Sequence, residues 1–260
     1  GPVLRSSSNF SPREQRPSSL LMSSDINYPA KHYQSHEEHL IRYHQIIEDN
    51  PLATLIFSHN SDSEISHIPC HFAHKESHHV ASSINKHDDN SLNTTQIIAH
   101  VSNHHPLAKE LHNDSIVNVH LIFHGEDAYV SPNDVSATSR QTQMVPTWNY
   151  AKVHISGNAT EIKDSSKKYH HMAQTTDYFE QKERSQMDKQ VVNELWALTD
   201  APETAIKHML NAITLFTVQV ITIEGRLKLS QNKTKQVKEQ IANQLTIKGK
   251  IGLSQLMLDI

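Results

Sequence analysis

The chain has 260 residues, 36% hydrophobic and 20% charged, enough for one large soluble domain with its own core. A net charge of −4, with the 21 histidines neutral, argues against a strongly basic nucleic-acid surface, although a local patch for DNA is compatible with it. The one cysteine, Cys70, excludes an internal disulfide and a cysteine-based zinc cluster, and no apolar run reaches the about 18 residues of a membrane span; a cytoplasmic protein is expected.

Gly1-Pro2 has the form of a cleaved-tag remnant, and residues 1–26, rich in Ser, Pro and Arg, read as disordered linker. Ser35-His36-Glu37-Glu38 has the capping-box pattern, and Leu40, Ile41, Ile46 and Ile47 follow at helical spacing, so a helix is expected over 36–48, ended by Asn50-Pro51. An apolar run with β-branched residues at 52–57 reads as a buried strand, and a second strand at 65–72 after polar turn residues predicts a hairpin. A polar, histidine-rich loop is expected at 74–94, a strand at 96–101 and a short helix at 106–111. The alternation of Val117, Val119, Leu121 and Phe123 predicts a strand over 116–123, broken by Gly125, with another at 128–131. After a polar loop at 132–144 come a long strand at 150–162, a helix at 165–181 and a helix-like run at 190–198. Asp200 then reads as the N-cap of a helix with Pro202 in its first turn. A β-branched run at 213–223 is expected to turn at Gly225 into a short strand at 226–230, and a lysine-rich helix at 234–245 closes the domain. Residues 27–246 are therefore taken as the domain and 247–260 as a C-terminal extension. Many short strands with few βαβ units predict a mainly β, α+β fold built as an antiparallel barrel with peripheral helices.

Two short runs carry chemistry. In Val145-Pro146-Thr147-Trp148-Asn149-Tyr150, an extended backbone puts Trp148 and Tyr150 on one face and Thr147 and Asn149 on the other. An aromatic pair can wall a planar ring, and the hydroxyl and amide can read its edge; a plain core Trp148 is the alternative. In Lys228-Leu229-Ser230-Gln231-Asn232, alternation puts a cation, a hydroxyl and an amide opposite Leu227 and Leu229, a set suited to a phosphate, with a solvated edge strand as the alternative. The chain has 6 glycines and no G-x-G-x-x-G or Walker A pattern, which speaks against a dinucleotide or P-loop site. His36-Glu37-Glu38-His39 is one residue short of the zincin motif, and the paired histidines elsewhere lack metal-ligand spacing, so no metal site is expected.

Taken in order, Tyr28-Pro29-Ala30-Lys31-His32-Tyr33, Asn50-Pro51-Leu52-Ala53-Thr54-Leu55, His67-Ile68-Pro69, His100-Val101-Ser102-Asn103, Ala128-Tyr129-Val130-Ser131-Pro132, the Val145–Tyr150 run, Leu198-Thr199-Asp200-Ala201-Pro202 and Glu224-Gly225-Arg226-Leu227 running on to Asn232 resemble the PaiB-like FMN-binding transcriptional regulators. The resemblance runs from Tyr28 to about Leu245. It implies the split β-barrel of FMN-binding proteins, a homodimer with FMN at the subunit interface, and a site lined by His67, His100, Asn103, Thr147, Trp148, Asn149, Lys228, Ser230, Gln231 and Asn232. The chain departs from the family pattern after Ser131-Pro132, where a Trp-Tyr pair is common and Asn133-Asp134-Val135 stands instead. The same barrel hosts flavin-dependent oxidoreductases of the flavin-reductase or pyridoxamine-oxidase kind and, more remotely, haem proteins, and fold alone does not choose among them. No poised catalytic triad and no basic recognition helix stands out, so neither dedicated catalysis nor DNA binding is evident.

Overall fold

A computed structural model describes residues 28–74, 92–113, 115–140, 144–187 and 194–260. The expected first helix is α1 (Leu40–Asp49), entered through a 3-10 turn at Glu37–His39, and it buries Tyr43, Ile46 and Ile47. Its N-terminus has no side-chain cap: Ser35 Oγ instead accepts the N–H of Gly225 at 2.9 Å, 190 residues away, so the capping-box reading is corrected.

β1 (Leu52–His59) and β2 (Asp62–Pro69) form the expected hairpin. Its turn residues Asn60 and Ser61 both have positive φ, the backbone whose twist matches two antiparallel strands. The second run does not continue as one ladder to residue 72. After Cys70 the chain becomes β3 (His71–His74), which pairs with β4 (Leu92–Ser102). The remaining strands are β5 (Val117–Val130), β6 (Thr147–Glu161) and β7 (Ile213–Lys228), and the order is β2-β1-β5-β6-β7-β4-β3 with every pairing antiparallel. β2 and β3 lie at opposite ends of this order, yet only Cys70 separates them in the chain. The ladder is open, but one residue can join its two ends only if the sheet curls round on itself, which gives the split barrel.

Two predicted breaks are absent. β5 runs through Gly125 with a register shift between His124 and Asp127, and β7 runs through Gly225. Both glycines answer a close approach: a Cβ on Gly125 would meet the Ala151 carbonyl oxygen at 2.5 Å, and one on Gly225 would run into the Tyr43 ring.

Helices pack round the barrel: α2 (Pro106–His112), α3 (Ser165–Ser185), α4 (Glu203–Ala212), α5 (Lys235–Ile247) and α6 (Ile251–Asp259). The N-cap of α4 is Pro202. Asp200 ends a preceding 3-10 turn, where its carboxylate accepts the Ala197 N–H at 2.8 Å. The helix expected at 190–198 falls partly outside the described residues, and residues 194–197 are not helical. The main core joins α1, α2, α5 and α6 to the inward sheet residues. Leu253 and Met257 of α6 are wholly inside it, so the segment after residue 246 is packed into the domain. A smaller cluster of Met172, Leu198, Ile206 and Leu215 seats α3 and α4.

Candidate functional site

The ends of β6 and β7 bring the two chemistry-bearing runs together. Tyr150 faces Lys228 across the ladder, and the ammonium of Lys228 donates to Thr147 Oγ1 at 2.7 Å. Beside them lies a pocket of about 200 Å³ lined by Tyr33, Val130, Met144, Val145, Thr147, Asn149, Lys228, Ser230, Asn232, Lys233 and Ile241. None of these is acidic and two are lysines. An ammonium has three donors, and Thr147 takes one, so Lys228 keeps donors for an anion.

The polar residues after Lys228 are not one strand face. β7 ends at Lys228 and the chain turns, with Ser230 in the left-handed region (φ 61°). Ser230 is buried against Asn149, whose Nδ2 donates to Ser230 Oγ at 3.0 Å and lies 3.5 Å from Met257 Sδ. Gln231 holds the turn from both ends of its amide: Oε1 accepts the Leu229 N–H and Nε2 donates to the Leu227 carbonyl. Asn149 and Gln231 therefore shape the pocket, while Lys228, Thr147 and Asn232 present polar groups to it. Asn232 Oδ1 accepts from the Tyr33 hydroxyl at 3.3 Å. Burial, and then the neighbouring Tyr150, raise the Tyr33 pKa, so its phenol stays a donor at neutral pH.

Outside the pocket, Trp148 is 55% exposed and meets Tyr129 edge to face, with ring centroids 5.8 Å apart. These two rings occupy the outer side of β5 and β6, where their residues are register partners. Tyr33, Tyr129 and Lys233 were not singled out by the sequence reading. Alternation continued from Val117, Val119, Leu121 and Phe123 would put Tyr129 inward, and it is the register shift between His124 and Asp127 that turns it outward, while Tyr33 reaches the pocket by a tertiary route. The departure after Ser131-Pro132 is a 3-10 turn closed by a Ser131–Asp134 capping box, with Val135 buried and Asp134 paired to Lys248 at 3.1 Å.

His67, His100 and Asn103 do not line this pocket. His67 is exposed on β2, and Thr54 Oγ1 bridges it (3.2 Å) to His124 (2.8 Å). His100 lies on β4 opposite Leu215, and burial lowers its pKa. Asn103 ties β4 to the start of β7: its amide donates to the Asn211 carbonyl and accepts from the Thr214 hydroxyl at 2.8 Å. Among the described residues, no group of three or more His, Cys, Asp or Glu is placed to hold a metal ion, and no helix is long and apolar enough to cross a membrane.

The pocket and the rings beside it fit the two ends of a flavin mononucleotide. Cations and donors without a carboxylate suit its phosphate, and exposed aromatic faces suit its ring. Residues 27–222 match the family model described as "Putative FMN-binding domain". An uncharacterised protein of Emericella nidulans is 26% identical over 212 residues, covering 72% of this chain and 78% of that one. The protein named protease synthase and sporulation protein PAI 2 of Bacillus subtilis is 24% identical over 202 residues, covering 76% and 82%. Among solved structures, the FAD and heme binding protein from Mycobacterium smegmatis aligns with a TM-score of 0.46 at 13% identity, over 81% of this chain and 80% of that one.

Proposed function

From the premise that this chain belongs to the FMN-binding domain family, we propose that it is a flavin-binding member of the PaiB-like regulator group, holding FMN between two copies of itself in the cytoplasm, with at most slow redox turnover. The observation that carries this reading is the Lys228–Thr147 pair in a pocket without acidic lining, next to the outward rings of Trp148 and Tyr129. When bound, FMN supplies hydride or electron chemistry at its ring. The chain's own residues hold the molecule: Lys228 and Lys233 neutralise the phosphate, and the aromatic pair excludes water from one side of the ring. The pocket of about 200 Å³ lies below the about 300–1,000 Å³ usual for a small-molecule site, which supports a second subunit completing it. His67 and His100, placed away from the pocket in one chain, are then candidates to approach the flavin of the partner.

The net charge of −4 and the absence of a basic recognition helix among the described residues fit a regulator that has no tight DNA contact of its own. Titration of the purified chain with FMN and FAD, followed by flavin fluorescence, tests the cofactor: FMN is expected to bind more tightly, and equal or tighter FAD binding overturns the choice. NAD(P)H oxidation with added FMN tests the regulator assignment. Turnover near the enzyme median of about 10 per second would place the chain with the oxidoreductases instead. A robust mobility shift of DNA by the protein alone would overturn the DNA part.

A further inference from the structure

We propose that Tyr33 closes the phosphate end of the pocket, donating a hydrogen bond to a terminal phosphate and standing where the second phosphate and nucleoside of a flavin dinucleotide would have to pass. The proposal rests on the FMN reading above and adds to it the residue that sets which flavin is accepted.

Three independent features of the molecule converge on it. The inner wall of the pocket is sealed, because Val130, Asn149 and Ile241 are fully buried, so any extension of a bound phosphate must leave over the rim. Tyr33 stands on that rim, with its hydroxyl on Asn232 at 3.3 Å. That bond is long, and exchanging Asn232 for a charged phosphate oxygen gives a stronger one. The third feature is how Tyr33 is delivered. Residues 28–36 cross the outer part of β7 as a strap: Tyr28 lies 5.6 Å from the Arg226 guanidinium, Ser35 accepts the Gly225 N–H, and the His36 N–H donates to the Tyr43 hydroxyl at 3.0 Å. None of residues 28–36 is buried. A segment held by a few polar ties and little apolar burial opens at low free energy, so the strap can lift to admit FMN and settle on it. Burial keeps the phenol protonated, as a donor must be.

The test uses the whole chain and titrates riboflavin, FMN and FAD into the wild type, Tyr33→Phe, Tyr33→Ala and Lys228→Ala, read by flavin fluorescence. Tyr33→Phe is expected to weaken FMN about tenfold or more, as for loss of a hydrogen bond to a charged group, to leave riboflavin unchanged and still to reject FAD. Tyr33→Ala is expected to bring FAD to within about threefold of FMN, a difference of less than about 1 kcal/mol. Amide exchange in residues 28–36 should slow with FMN and not with riboflavin. If Lys228→Ala weakens FMN while Tyr33→Ala keeps the wild-type ratio of FMN to FAD, the role of Tyr33 is overturned and the FMN reading stands. A wild type that takes up neither FMN nor FAD overturns both.

Discussion

At Lys228, one side chain decides between a phosphate site and a solvated strand end. Its ammonium is held by Thr147, so it is already oriented and loses little side-chain freedom on binding an anion. Lys228→Ala is expected to weaken FMN by about 1.5–3 kcal/mol, the range for a hydrogen bond to a charged group, and to leave riboflavin nearly unaffected. Equal losses for both ligands in a titration would make Lys228 structural. Asn149 is different in kind, since its amide is buried and already bonded to Ser230. Asn149→Ala should destabilise the fold by about 1–3 kcal/mol, because Ser230 loses its buried partner. The expected fall in melting temperature is about 2–4 °C per kcal/mol for a chain of this size. The same contrast explains how far the site could be read in the sequence. Residue type singled out Lys228, Thr147 and Asn232, which do open on the pocket. It singled out Asn149 equally, and the family resemblance added Asn103 and Gln231, although the amides of all three are committed to the framework. The partners of Asn149 lie 81 and 108 residues away and those of Asn103 more than 100, and no local pattern carries such information. Gln231 bonds within its own turn, but a turn was not expected there because Leu227 and Leu229 alternate as in a strand.

Among the elements, periodicity located most helices and strands in the described residues; it erred at glycine and at the crossover, expected a helix through 194–197 and did not find α6. Gly125 and Gly225 were read as breaks because glycine is usually a turn residue. Each instead leaves room for a neighbour inside a long strand, a tertiary fact. Gly225→Ala is expected to cost about 1–3 kcal/mol by overpacking against Tyr43, seen as a lower denaturant midpoint with an unchanged slope. A variant as stable as the wild type would mean that the Tyr43 ring gives way freely. The split of 65–72 into β2 and β3 was hidden because both halves are extended and only their pairing partners differ. That crossover places His71 under α3. Its ring stacks on Tyr178 with centroids 5.0 Å apart, Nδ1 donates to the Phe72 carbonyl, and Nε2 therefore accepts from the Thr175 hydroxyl at 2.7 Å. Burial, helped by His74 and His171, lowers the His71 pKa to about 4, although the Phe72 bond opposes the shift. Because the unfolded imidazole titrates near about 6.5, the unfolded chain binds more protons between these values. The contribution is thus complete above about pH 6.5 and is lost as the pH falls toward 4. Burial also lowers the pKa of His44, His100, His105, His124 and His154, so His71→Gln should flatten part of the acid-side slope of stability against pH. A slope identical to that of the wild type would remove His71 from this account.

For the whole molecule, the question is what covers the outer face of the sheet. That face carries Ile65 at 60% exposed, Trp148 at 55% and Tyr129 at 46%, with Ile56 and Ile122 half-buried beside them. Ile65 and Ile56 are register partners, and Tyr129 and Trp148 are another pair, so the apolar groups are grouped by the ladder rather than scattered. Exposed apolar groups paired on one face of a sheet suit an interaction site, and a second copy related by a two-fold axis is the simplest occupant. The same copy would complete a flavin pocket that is small in one chain. Light scattering after gel filtration at micromolar protein is expected to give twice the mass of the chain. Ile65→Glu separates dimerisation from direct contact with FMN, because β2 lies four strands from β7 in the sheet order and Ile65 does not line the Lys228 pocket. The variant is expected to be monomeric, with a circular dichroism spectrum like that of the wild type, and to lose FMN even though Lys228 and Thr147 are intact. A monomeric wild type with bound flavin, or an Ile65→Glu monomer that keeps full FMN affinity, would show that one chain suffices for the site and overturn the shared pocket.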